Sequence, residues 1–407
     1  MSKTELHKKT TMSAVAITVS QAANKVITIV SQIMLAWFLV PADMGKVALA
    51  LSIANIGEFF TSSGVRDVLV QKQDRFEELK GSGATLAILM NLGAILIIGA
   101  LAHTVVKVYN EPVVLKLIWI SISAWFLHGL INPYKAKMSI DMEFKTLAFL
   151  YALEGLIFST SCVILAWQGF GATSMVLPLL WKSLFTYFYL RYKIKPIKFQ
   201  IPTREHIKVL LGTSIFVTAA SLTSALQKNG VNYAAGIRGE TQVVGLYYWG
   251  YTIASQAVFL LALNLRQVFF PAFRAELSDP TALRKLVLHW LKRLSIIIVP
   301  ICLLQFALAP YLIKWVFAEK WWPAIVVVQY ISLALVFAPI EVIGGSLIMA
   351  RGHFKQLFVL RSLSAIMLFG AAWYGVRNNS IEELVFSTAF AVAGGALLIG
   401  LGAVRGR

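Results

Sequence analysis

The sequence predicts an all-α integral membrane protein of about twelve transmembrane helices, arranged as two six-helix bundles related by a parallel pseudo-repeat around a central cavity. Three observations predict it. Of 407 residues, 58% are hydrophobic and only 14% charged, where a soluble domain carries about 25% charge. Apolar stretches of about 20 residues, enough to cross a bilayer, recur along the whole chain and leave no length for a sizeable soluble domain. The two halves also match at a nearly constant offset.

Taken in order, the predicted helices cover 12–40, 44–65, 82–106, 112–133, 144–168, 172–192, 206–236, 242–265, 286–316, 322–350, 354–376 and 381–403. Pro41 and Gly45 punctuate the first junction, Gly169 and Gly171 the fifth, and Pro196 and Pro202 the central loop. The N-terminal MSKTELHKKTTMS is basic but lacks a cleavage site, and the apolar run after it is long, so the first helix reads as retained. The expected organisation is an N-terminal bundle over 1–192, a cytoplasmic linker over 193–205 and a C-terminal bundle over 206–407.

The net charge of +18 raises the question of nucleic acid, but the basic residues fall on alternate loops. Twenty-six lie on the side of the N-terminus and seven on the other; the remaining four, Lys25, Lys182, Lys228 and Arg361, fall within spans. That asymmetry is the positive-inside pattern. It places both termini in the cytoplasm and makes the basic loops topology determinants that meet anionic lipid headgroups. The loops on the far side, such as PADMGK and RGETQ, are barely turns, which weighs against enzymes that bind acceptors on the outer face.

At an offset of 200, Gly45 falls on Gly245, Arg66 on Arg266 and Val68 on Val268; at 210, Phe144–Leu147 falls on Phe354–Leu357. Six spans per half is an even number, so the halves share one orientation and the repeat axis runs along the membrane normal. Helix 1 carries Thr18, Gln21, Lys25, Thr28 and Gln32 on one face. Helix 7 carries Thr218, Ser221, Lys228 and Asn232 at equivalent positions. A lysine facing lipid at mid-bilayer costs on the order of 3 kcal/mol or more, so these stripes point to an aqueous interior and an anionic cargo.

Glu58, Glu154, Lys182, Glu341 and Arg361 also lie within spans. Each has a structural alternative: snorkelling for Lys182 and Arg361, pairing with a lysine of its own bundle for Glu154, and a position nearer the cytoplasmic end for Glu58. The six histidines are scattered, the two cysteines form no framework, and no metal-binding or phosphate-loop motif occurs. The reading is therefore a transporter, not an enzyme, with no cofactor and no nucleic-acid partner.

Two segments carry a family resemblance. SGVRDVLVQKQD (63–74) is similar to the Gly–variable–Ile/Val–Gln–Lys/Arg segment of bacterial polysaccharide flippases. INPYKAKMSIDMEFKTLAF (131–149) is similar to their Asn-Pro, basic and Met-x-Phe-Lys run entering helix 5. The chain thus resembles the Wzx-type, or PST, branch of the MOP superfamily, nearest the colanic-acid-exporter-like group, with multidrug MATE exporters and lipid II flippases as cousins. The resemblance implies two bundles forming a V around a cationic cavity in the bacterial inner membrane. It implies transfer of undecaprenyl-pyrophosphate-linked oligosaccharide to the periplasmic leaflet, for O-antigen or exopolysaccharide. Implied partners are that lipid-linked oligosaccharide, membrane lipids, a polysaccharide polymerase and a chain-length regulator. Relatives often carry further C-terminal helices, while this sequence ends at AVRGR soon after the twelfth. Candidate substrate-binding residues are Lys25, Lys228, Gln21, Gln32, Asn232, Arg66 and Arg266; Glu58 and Glu154 are candidates for ion coupling. The competing expectation is a MATE-type cation-coupled drug antiporter, which would rely on those carboxylates.

Overall fold

The computed structural model describes residues 24–61, 65–141, 143–212, 229–238, 240–258, 264–378 and 380–405. Among the described residues every regular element is helical. Six helices are long and apolar enough to cross a membrane: Phe76–Tyr109, Pro112–Ile140, Lys145–Trp167, Pro280–Val316, Phe354–Gly375 and Ile381–Val404. A pair bent by 45°, Glu319–Leu335 with Ala338–Ala350, makes a seventh as one broken span. The chain is a multi-pass membrane protein.

The helices are α1 (Asn24–Phe38), α2 (Pro41–Thr61), α3 (Val65–Gln71), α4 (Phe76–Tyr109), α5 (Pro112–Ile140), α6 (Phe144–Trp167), α7 (Thr173–Lys193) and α8 (Arg204–Gly212). Then come α9 (229–238), α10 (Thr241–Val258), α11 (Asn264–Ala275), α12 (Pro280–Val316), α13 (Ile325–Leu335), α14 (Ala338–Ala350), α15 (Phe354–Gly375) and α16 (Ile381–Arg405). Among the described residues, in each half a helix, α2 or α10, is followed by a short one, α3 or α11, and then by a long one, α4 or α12.

Contacts divide the chain into two compact units. One holds the described residues of 1–39 and 49–222, the other those of 40–48 and 223–407. In the first, α3, α4, α5 and α8 share a core of Val65, Val68, Leu69, Phe76, Leu79, Leu86, Ala136 and Leu210. Arg204–Gly212 therefore packs with the N-terminal helices. The span predicted over 206–236 is described only at its two ends, α8 and α9.

The second unit is built around aromatic rings. Trp321 is fully buried, with Trp249 at 4.6 Å, and Trp249 meets Phe317 edge-on at 4.9 Å. Here the first turns of α2 meet α10, with both repeat glycines at the crossing. The Thr241 carbonyl oxygen lies where a Cβ on Gly45 would sit, and the Pro41 carbonyl where a Cβ on Gly245 would sit. The contact is reciprocal under the offset of 200, since Pro41 and Thr241 stand at the same offset.

Three local features depart from expectation, all for backbone reasons. Pro133 does not end its helix: α5 runs on to Ile140 with Pro133 inside. The lost proline N–H leaves one i−4 carbonyl without its bond, yet packing holds the next two turns, where Ala136 and Met138 are buried. The span predicted over 322–350 breaks between α13 and α14, where Pro339 sits in the first turn of α14 and cannot donate back to the preceding turn. The stretches after the second and eighth spans, predicted as loops, contain the helices α3 and α11.

Candidate functional site

The polar interior of the N-terminal unit lies on the facing sides of α1, α5, α6 and α7. Glu154 sits ten residues into α6, roughly 15 Å from its start at 1.5 Å per residue, about halfway through a 30 Å hydrocarbon core. Its carboxylate accepts from Lys135 Nζ of α5 at 2.9 Å and from Thr186 Oγ1 of α7 at 2.7 Å. Lys135 and Glu154 are 14% and 15% exposed, and Lys135 Nζ also lies 4.8 Å from the Tyr151 ring centroid.

One turn along α6, Phe158 faces Lys182 of α7, whose Nζ lies 5.3 Å above the ring. Helical spacing builds this seam. Glu154 and Phe158 are four apart, as are Lys182 and Thr186, so each pair shares a face.

Helix α1 joins through Asn24, whose amide donates to the Tyr151 carbonyl at 2.9 Å. Its side-chain oxygen is buried without a partner among the described residues. The approach is close because residue 155 is glycine: a Cβ there would collide with the Asn24 amide. Lys25 follows, half-buried; among the described residues no hydrogen bond or ion pair engages its ammonium. Thr28 spends its hydroxyl on the Asn24 carbonyl, and Gln32 is half-buried. Val26, Ile29 and Val30, off the stripe, are 62%, 43% and 51% exposed, as lipid-facing positions should be.

Away from the ends of α5, α6 and α7, the charged groups that face this seam are the ammoniums of Lys135 and Lys182 and the carboxylate of Glu154; Lys25 lies at the described start of α1. Burying an ion costs several kcal/mol unless it is paired. Glu154 is held by Lys135 and Thr186, and among these described groups lysines outnumber carboxylates three to one.

The remaining sequence candidates are dispersed. Asn232 is buried in α9. Gln21 and Lys228 lie outside the described residues. Glu58 falls on α2, Arg66 on α3 and Arg266 on α11, with side chains outside the described set. Lys135, Thr186 and Asn24 were missed. Lys135 falls two residues beyond the helix expected over 112–133; the signal that finds it is Glu154, a mid-span acid that needs a cation within its own bundle.

A second ionic group surrounds α8. Arg75 donates to Glu78 at 2.6 Å and to Glu205 at 2.9 Å, and these bonds push the guanidinium pKa further up. His206 Nδ1 lies 2.7 Å from Ser82 Oγ. The group straps α8 to the start of α4, a structural role.

A multi-pass chain that is helical throughout its described residues, with half-buried lysines between its helices, belongs to the class of polytopic membrane proteins that keep a polar interior. Comparison with known proteins narrows it: the chain belongs to the polysaccharide biosynthesis protein family, whose model matches residues 34–326. No curated protein sequence matches.

Among solved structures, the lipid II flippase MurJ in an inward closed conformation is similar at a TM-score of 0.75 and 12% identity, over 95% of this chain and 86% of that one. An inward-facing multidrug MATE transporter of the MOP superfamily is similar at 0.71 and 15%, over 94% of each chain. A MOP-superfamily transporter from Pyrococcus furiosus, described as having a binding pocket of reversed polarity, is similar at 0.56 and 14%, over 97% and 92%. The fold is that of MOP-superfamily transporters.

Proposed function

We propose that the protein is a flippase that carries a polyprenyl-pyrophosphate-linked oligosaccharide from the cytoplasmic to the periplasmic leaflet of a bacterial inner membrane. The observation that carries the reading is that, among the described residues, the half-buried lysines Lys25, Lys135 and Lys182 outnumber the carboxylate of Glu154 on facing helices, in a member of a polysaccharide biosynthesis family. The prenyl tail of such a substrate can stay in lipid. The pyrophosphate and glycan cannot cross hydrocarbon unaided and need cations and water. Lys25, Lys135 and Lys182 supply the cations in the N-terminal unit, and Lys228 with Asn232 extends the path in the C-terminal one. Rocking of the two bundles would expose the path to each side in turn. The charge asymmetry of the loops supports cytoplasmic termini.

The drug-antiporter alternative draws on Glu58 and Glu154. Glu154 already accepts from Lys135 and Thr186, so a cationic drug would have to displace an internal cation. The experiment is surface polysaccharide in a flippase-deficient strain, with membrane protein quantified alongside. Lys25→Ala with Lys228→Ala should abolish export without loss of inserted protein, because removing a charge eases insertion. Normal export by the double variant overturns the cationic path.

A further inference from the structure

The hairpin between α15 and α16 ends in a feature the transport path does not use. At its open end is a cavity of about 600 Å³ lined by Tyr374, Arg377, Asn378, Glu383, Phe386 and Ser387. Helix α15 has 22 residues, roughly 33 Å at 1.5 Å each, close to the hydrocarbon thickness. Tyr374 and Arg377 therefore lie at the membrane boundary on the side with few basic residues. A second basic residue of that side, Arg238, stacks its guanidinium 4.5 Å from the ring of the neighbouring Trp373.

The local chain explains the cavity. Gly375 lets the helix ends close together, because a Cβ there would strike Ser387 Oγ, with the Leu384 backbone at 2.6 Å. Ser380 Oγ accepts from the Glu383 N–H at 3.4 Å, an N-cap that fixes the start of α16. The Glu383 carboxylate accepts from the Asn378 amide at 3.1 and 3.2 Å. Arg377, in contrast, is exposed, and among the described residues nothing engages its guanidinium. The nearest acid is held by an amide while the arginine stays open, with the positive end of the α16 dipole beside it. Tyr374 is 64% exposed and Phe386, whose ring packs against Tyr330 at 4.5 Å, is 40% exposed, so both rings reach the polar cleft.

We propose that this cleft binds a phosphorylated, sugar-bearing lipid headgroup at the outer boundary of the membrane. Arg377 takes the phosphate through its planar donors. The Tyr374 and Phe386 rings meet the apolar face of a pyranose, and the Glu383 carboxylate and Ser387 hydroxyl meet its hydroxyls. The identity of the headgroup as transferred cargo rests on the flippase reading; the site itself does not. It would hold the headgroup after transfer, before an acceptor takes it.

The test uses the full chain in phosphatidylcholine nanodiscs with p-benzoylphenylalanine replacing Phe390, which is 79% exposed one turn below Phe386. The probe is farnesyl-diphosphoryl-N-acetylglucosamine, and photolabelling is read as a function of its concentration. Labelling should saturate, and Arg377→Ala or Tyr374→Ala should weaken half-saturation about tenfold, the scale of one charge-assisted hydrogen bond. Arg377→Lys should recover part of it. Labelling unchanged by Arg377→Ala and Tyr374→Ala overturns the site. If farnesyl diphosphate or phosphatidylglycerol competes as well as the sugar-bearing probe, the cleft is a phospholipid headgroup contact and the assignment fails. Glycan export separates the two readings. Arg377-dependent labelling in a protein that does not export supports the site and removes its cargo. Lysine-dependent export with no such labelling supports the flippase reading and overturns the site.

Discussion

The interiors of the two units differ although their helix order is the same. In the N-terminal unit the centre is ionic: Lys135, Glu154 and Thr186 bond across three helices, with Lys182 one turn away. In the C-terminal unit the centre is aromatic, around Trp321, Trp249 and Phe317, and two arginines serve helix ends. Arg274 donates to the Ala350 carbonyl at 2.8 Å, at the end of α14, and Arg351 to the Ala403 carbonyl at 2.7 Å, near the end of α16. Cations at helix C-termini satisfy orphan carbonyls and oppose the dipole. A repeat therefore constrains backbone geometry far more than interior chemistry. In one unit the described lysines stand between helices, while in the other Arg274 and Arg351 reach the carbonyls of helix ends.

The largest expected effects break each centre. Glu154→Ala leaves Lys135 buried without its carboxylate and should cost about 3–5 kcal/mol. Trp321→Ala empties a fully buried site and should cost a similar amount, about 3–5 kcal/mol. A second change tells them apart. Adding Lys135→Met to Glu154→Ala removes the stranded charge and should recover most of the thermal stability of the detergent-solubilised protein, while glycan export stays impaired. No charge change should rescue Trp321→Ala. If Glu154→Ala unfolds no more readily than wild type, the ionic centre is hydrated and the contrast between the units is smaller than drawn.

The next effect probes what the repeat does preserve. Gly45→Leu and Gly245→Leu each drive a side chain into the carbonyl of the opposing helix. Overpacking of this kind costs about 1–3 kcal/mol, and the reciprocal geometry predicts that the two variants lower the melting temperature alike. A large difference would show the crossing to be less symmetric than the offset of 200 implies.

Much of this was legible in the sequence, and the omissions have definite causes. Apolar runs and loop charge fixed the class, because lipid tolerates few alternatives. The Gly45–Gly245 match, a bare coincidence of letters at first, is a contact. Of the stripe expected on helix 1, Lys25, Thr28 and Gln32 are described; they are half-buried, as is Ile27 beside them. The helix expected over 112–133 stops short of Lys135, because propensity is local while the packing that carries α5 past Pro133 is tertiary. Pro339 was read through, and the bend between α13 and α14 was missed. The cleft at Arg377 left no trace in spacing, since it depends on a glycine opposite a serine on another helix.

A smaller effect concerns the arginine caps. Arg274→Met removes a donor to the end of α14 and should lower stability by about 1 kcal/mol, the usual net value of one hydrogen bond, with export unaltered. Lys182→Met in the first unit should do the reverse, abolishing export at little cost to folding, because it removes a charge from the membrane interior. If both variants lose export equally at full expression, Arg274 belongs to the transport path and the division of labour between the units fails.

The smallest expected effect asks how each unit secures its helix starts. In the N-terminal unit α4, α5, α6 and α7 have no side-chain cap. In the C-terminal unit the 37-residue α12 begins at Asp279, whose carboxylate accepts from the Thr281 and Ala282 N–H groups at 2.8 and 3.0 Å. Asp279→Ala should therefore cost about 1 kcal/mol. Glu143→Ala, at the uncapped start of α6, should cost close to nothing. Asp279→Asn keeps the acceptor without the charge and isolates the dipole share, about 0.3–1 kcal/mol at low salt. That share should shrink as salt is raised, because the cap is exposed and ions screen it, while the hydrogen-bond share should not. An Asp279→Ala cost that vanishes entirely at high salt would make the cap electrostatic and the two hydrogen bonds incidental. A cost independent of salt would remove the dipole share and leave the cap a matter of the two satisfied N–H groups alone.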